Sequence, residues 1–77
     1  RKEDQMLIEM HTLDDQRAKR EDWTWTFDCL STPAEMREAN EEDPDTQNAV
    51  DALEYGADEV FLGGGAAPYV RLRPFQS

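Results

Sequence analysis

Trp23-Thr24-Trp25-Thr26-Phe27-Asp28-Cys29-Leu30-Ser31-Thr32-Pro33-Ala34-Glu35 is the stretch that decides the fold. Through residue 30 it reads as a strand: Trp23, Trp25, Phe27 and Cys29 point one way, Thr24, Thr26 and Asp28 the other. Aromatic and β-branched residues at a period of two give one buried and one wet face. This strand is expected to hold most of the core. From Thr32 the pattern becomes a helix start. Thr32 can cap, Pro33 suits the first helical position, and Glu35 completes a capping box. The helix is expected over 33–42, with a thin apolar face of Ala34, Met36 and Ala39.

Toward the C-terminus, Asp43-Pro44-Asp45 breaks that helix, because the residue before proline avoids helical geometry. A second helix is expected over 46–55, with Pro44 able to open it and Asp43 to cap it. Ala49, Val50 and Leu53 follow helical spacing on its apolar side. Gly56 stands where a left-handed C-terminal residue belongs. Glu59-Val60-Phe61-Leu62 reads as a short strand, Gly63-Gly64-Gly65-Ala66-Ala67-Pro68 as a connecting loop, and 69–75 as the last strand. In that strand Val70 and Leu72 share one face, and Tyr69, Arg71, Arg73 and Phe75 the other.

Toward the N-terminus, residues 14–22 are a polar hairpin connection. Residues 6–13 form a first strand with Met6, Ile8 and Met10 on one side. The order strand, strand, helix, helix, strand, strand predicts an α+β fold. The expected architecture is a four-stranded, mainly antiparallel sheet with two short acidic helices on one face, in one small domain over 1–77.

The 77 residues carry 18 acids and 8 Lys or Arg, a net charge of −10. Nine of those charges lie in one segment, where Glu35, Glu38, Glu41, Glu42, Asp43, Asp45, Asp51, Glu54, Asp58 and Glu59 face a single base, Arg37. Such a field steers cationic partners and opposes direct binding to nucleic acid, which needs cations on the protein. Two helices of about ten residues span roughly 15 Å each. Ten carboxylates over that span approach the duplex density of about one charge per 1.7 Å. These ten residues are the candidate partner-binding site. The bland alternative is a solvated face that aids solubility.

Other constellations are weaker. Glu41, Glu42, Asp43 and Asp45 are oxygen ligands in a short stretch, but Pro44 and the missing glycine spoil a calcium loop. No metal or cofactor is expected. The glycine run lacks the following helix and lysine of a phosphate loop and reads as a hairpin turn. His11 and Cys29 are single representatives of their kinds. Cys29 falls on the aromatic side of its strand as a buried thiol, so catalysis is not expected and the chain is not read as an enzyme. Arg71 and Arg73 beside Tyr69 and Phe75 have the composition of single-strand-binding faces, which the net charge opposes. No apolar run approaches a membrane span. One cysteine suits a reducing compartment, and a cytoplasmic location is expected.

Two resemblances bear on this reading. Asn48 to Gly64, Asn-Ala-Val-Asp-Ala-Leu-Glu-Tyr-Gly-Ala-Asp-Glu-Val-Phe-Leu-Gly-Gly, resembles the helix–Gly-Ala-Asp–strand unit of (β/α)8 barrel enzymes. In a chain far shorter than the ~200 residues of such a barrel, it implies only a tight helix-to-strand turn. In small size, acidity, lone cysteine and element order, the chain is similar in general character to the anti-CRISPR and anti-restriction inhibitors of phages and mobile elements. That likeness implies a basic nucleic-acid-binding partner, such as a CRISPR effector complex, with the carboxylates replacing phosphates. The leading expectation is therefore a non-enzymatic inhibitor acting by DNA mimicry in a host cytoplasm, as monomer or homodimer. The alternative is a small structural or adaptor module, or a homodimeric subunit using its aromatic sheet face.

Overall fold

The computed structural model describes residues 6–76 of the chain. Its elements are β1 (Ile8–Leu13), β2 (Trp25–Ser31), α1 (Pro33–Ala39), α2 (Pro44–Glu54), β3 (Val60–Gly64) and β4 (Ala67–Pro74), with one 3-10 turn at Arg20–Asp22. The strands form a single sheet in the order β2-β1-β4-β3, and every pairing is antiparallel. This is the expected α+β fold, with β1 and β4 central and β2 and β3 at the edges.

The helix boundaries follow local chemistry. Thr32 Oγ1 accepts the Glu35 amide at 3.1 Å, and the Glu35 carboxylate accepts the Thr32 amide at 2.9 Å, closing the capping box. α1 ends at Ala39, short of the expected 42, because the Asn40 backbone leaves helical geometry and its side-chain amide donates to the Met36 carbonyl. α2 starts at Pro44 under an Asp43 cap. It closes at Gly56, whose φ is +108°. The Gly56 amide donates to Leu53 O at 3.1 Å and the Ala57 amide to Ala52 O at 3.0 Å. These are the two crossed bonds of a Schellman motif, which needs a left-handed residue at that position.

The core lies between the sheet and the helices. Ile8 and Leu72 from the central strands meet Met36 of α1 and Ala49, Val50 and Leu53 of α2, with Met6, Met10, Val60, Leu62 and Val70 around them. The expectation that β2 holds most of the core is therefore overturned. Phe27 is 54% exposed, Leu30 is exposed, and β2 is an edge strand with no buried residue. The helices present short aliphatic side chains, and these fit the aliphatic row of β1 and β4, leaving the aromatic row of β2 on the opposite face.

The single-face alternation of β2 is also corrected. Met10 pairs with Cys29 but His11 pairs with Phe27, so Asp28 is one extra residue on β2. A bulge of this kind moves all residues beyond it to the other face. Trp25 and Phe27 thus share the open face with His11, while Cys29 turns to the helix side with Met10.

The glycine run is shorter as a loop than expected. β3 continues through Gly64, β4 begins at Ala67, and only Gly65 and Ala66 form the turn. The β1–β2 connection is ordered by Asp14, whose carboxylate accepts from the hydroxyls of Thr24 and Thr26, and by the Trp23 indole, which donates to Ala18 O at 2.9 Å.

Candidate partner-binding faces

All ten carboxylates of the acidic segment are exposed, but half have internal duties. Glu35 and Asp43 cap the two helices. Arg37 Nη2 lies 2.5 Å from both Asp51 and Glu54, tying α1 to the far half of α2, and the two carboxylates hold the guanidinium pKa above its ordinary value. Glu59 reaches Arg73 on β4 at 3.8 Å. Glu38, Glu41, Glu42, Asp45 and Asp58 have no cation within ion-pair distance among the described residues. The first four follow one another around the α1–α2 corner, whereas Asp58 stands apart in the turn to β3. Five of the ten are thus engaged within the fold, and the corner set is unpaired among the described residues.

A groove of about 400 Å³ opens beside this corner. Its floor is Met10, Met36, Leu62 and Val70, and Asn40, Asp43 and Asp45 stand on its rim. An apolar floor with an acidic rim suits a long cationic side chain, whose methylene stem packs while its head stays at the polar edge.

Asp43 fixes this rim. Its carboxylate accepts the Thr46 hydroxyl at 2.7 Å and the Asp45 amide at 3.1 Å. The Thr46 hydroxyl first, then the Thr46 and Asp45 amides, hold its pKa below the ordinary carboxylate value, against an opposing effect of desolvation. A depressed carboxyl stabilises the fold above its unfolded pKa of about 3.9, and that contribution is lost as pH falls through the lowered folded value. Asp43→Ala should therefore melt earlier at neutral pH. Asp43→Asn keeps a good cap but should show a flatter loss of melting temperature with acid than the parent chain. Thermal unfolding followed by circular dichroism, from neutral to about pH 2, checks both.

The second face is the side of the sheet that no helix covers, and sequence reasoning missed it as a unit. The Arg71 guanidinium stacks 4.7 Å above the Trp25 ring, and Phe61 lies 5.8 Å from that ring. Trp23 packs on Trp25 and on Tyr69, and Arg20 lies over Trp23. His11 meets Phe27 edge-on at 5.7 Å and sits between Glu9, 2.7 Å from Nε2, and Arg71, 3.1 Å from Nδ1. Burial, then the neighbouring Arg73, lowers the Arg71 pKa, and its Nε is buried without a hydrogen-bond partner. The signal was present in the alternation of β4, which puts Arg71 and Arg73 opposite the Val70–Leu72 row. It pointed to this face only once β2 and β3 were known to flank the central pair.

His11 and Cys29 lie on opposite faces of the sheet, so they do not form a nucleophile–base pair. Among the described residues, no group of three or more His, Cys, Asp or Glu is placed to hold a metal ion, and no helix is long and apolar enough to cross a membrane. Comparison with protein-family models, curated proteins and solved structures finds no match.

Proposed function

We propose that this chain is a non-enzymatic inhibitor that occupies a cationic nucleic-acid-binding site on another protein, with its acidic helical corner in place of phosphates. The observation that carries this reading is the run Glu38, Glu41, Glu42 and Asp45. All four are exposed and unpaired among the described residues, and Asp45 also lines the groove suited to an Arg or Lys stem. Glu38 ends up in α1, Asp45 in α2 and Glu41 and Glu42 in the turn between them, so four carboxylates are held within eight residues of chain. The internal pairs at Arg37 and Arg73 narrow the proposed contact from the whole segment to this corner. The matching partner class is a DNA-binding surface such as that of a CRISPR effector complex. Long-range steering would give fast association that weakens with salt.

The test is competition. A guide-loaded effector complex is mixed with labelled duplex DNA, and displacement by this chain is followed by fluorescence anisotropy. Glu38→Gln, Glu41→Gln, Glu42→Gln and Asp45→Asn together should weaken competition by about tenfold to a hundredfold, given roughly 0.5 kcal/mol per exposed ion pair. The fold should be retained, because none of the four caps or bridges an element. Equal competition by parent and quadruple variant, or none by the parent, would sink the proposal.

A further inference from the structure

The uncovered sheet face assigns a second contact that does not depend on the acidic corner, and we infer that it is the seat of a second copy of this chain. Four of the five large hydrophobic side chains that stay exposed among the described residues, Phe27, Leu30, Phe61 and Phe75, lie on this one side. Cross-strand pairing places Phe61 opposite Arg71, Leu30 opposite Glu9 and Phe27 opposite His11. His11, Arg71, Glu9 and Arg73 lie between these hydrophobic side chains on the central strands, so the face pairs apolar margins with a polar middle. Trp, Tyr and Arg, which line this face, are the residues that dominate protein interfaces.

Charge decides the occupant. The acidic segment carries −9 on a chain of net −10, while the open face mixes Arg20, Arg71 and Arg73 with Glu9 and Glu59 and is close to neutral. Face-to-face pairing of two sheets stacks four layers, α/β/β/α, at about 10 Å each. The two acidic layers then stand roughly 30 Å apart, several Debye lengths at physiological salt. Pairing through the helices would bring the same charges to about 10 Å. The open face is thus the side on which two such acidic chains meet without repulsion. A single strand of nucleic acid, the other ligand that stacks on aromatics, gains few unpaired cations here, because Arg71 and Arg20 already lie on Trp25 and Trp23 and Arg73 faces Glu59.

Area sets the strength. Four strands about 4.8 Å apart and some six residues long cover roughly 20 × 20 Å, below the ~800 Å² per partner of a standard interface. The dimer is therefore reversible, with a dissociation constant on the order of micromolar to tens of micromolar. The pairing is isologous, and it leaves both acidic corners facing outward.

Sedimentation equilibrium of the full chain over a concentration series tests this. The mass should rise from the 8.9 kDa monomer toward twice that value. Phe61→Glu and Phe27→Glu sit on opposite edge strands and are exposed enough to fold. Each should raise the dissociation constant at least ~10-fold, and the Glu38→Gln control should not. Added salt should leave the dimer unchanged or tighten it, the reverse of binding through the acidic corner, so failure of one proposal does not mimic failure of the other. A parent chain that stays monomeric throughout overturns the inference whatever the variants do. So does a dimer untouched by both substitutions, or a thymidine oligonucleotide that quenches tryptophan emission from a monomeric chain.

Discussion

Leu72→Ala is expected to lower the melting temperature by about 10–30 °C and to leave the chain largely unfolded at the upper end of that range. Leu72 is 1% exposed on a central strand. It pairs with Met10 on one side and Val60 on the other, and it joins Ile8, Val50 and Leu53 in the core. Removing a buried leucine side chain costs about 2–5 kcal/mol, depending on how far the site collapses. Here collapse is limited, because β4 is held by strands on both sides and cannot move toward α2 without breaking a ladder. A domain of this length holds roughly 4–12 kcal/mol in total, so the loss is a large part of the whole. Phe27→Ala is the matching control. It removes a larger side chain from a half-exposed edge position and should cost no more than about 1 kcal/mol. Urea unfolding of both variants, read as midpoints at constant slope, gives the comparison. If Phe27→Ala proved the more damaging, the core would lie under β2 and not under the helices.

That contrast marks how much could be read along the chain. Thr32-Pro33-Ala34-Glu35, Asp43-Pro44 and Gly56 act on neighbours within about four residues, so spacing alone located both helices and their caps. The faces of β1 and β4 were equally clear, since each alternates without interruption. The aromatic row of β2 was misassigned because alternation shows that one face is apolar, not which layer covers it. That choice depends on what the helices offer, and Met36, Ala49, Val50 and Leu53 match the aliphatic row of Ile8 and Leu72. The bulge at Asp28 left no local signature, so the turn of Cys29 away from Phe27 was hidden as well. For the acidic site, the capping roles of Glu35 and Asp43 were legible. The reach of Arg37 to Asp51 and Glu54, fourteen and seventeen residues along the chain, was a tertiary fact. It engaged Asp51 and Glu54 within the fold, as the Arg73 contact engaged Glu59.

Gly63→Ala should be among the most damaging single methyl additions in this chain, and the reason lies in the crossing of two backbones. Gly63 has φ +83°, and a Cβ placed there would stand 2.1 Å from the Pro68 carbonyl oxygen. The left-handed conformation costs an L-residue about 1–2 kcal/mol. The clash adds to this, because its partner is main chain and cannot swing aside as a side chain would. The tight approach arises where the β3–β4 register shifts between Leu62 and Gly64, which pair with Val70 and Ala67. An irregular step of this kind is a place where a sheet tolerates proline. Gly65→Ala separates the two terms. Gly65 also has positive φ, +63°, but its Cβ would meet nothing within 4 Å, so only the conformational cost of about 1–2 kcal/mol applies. Gly63→Ala should therefore melt well below Gly65→Ala, and its β3 and β4 amides should exchange faster with solvent. The same strain reaches both proposed contacts. Gly63 lines the groove beside Asp45, and a slip of one residue in β3 would turn Phe61 from the open face toward the helices. The variant should thus lose dimer and competitor activity together, whereas Gly65→Ala keeps both. Equal melting of the two glycine variants would mean that β3 and β4 do not cross this closely.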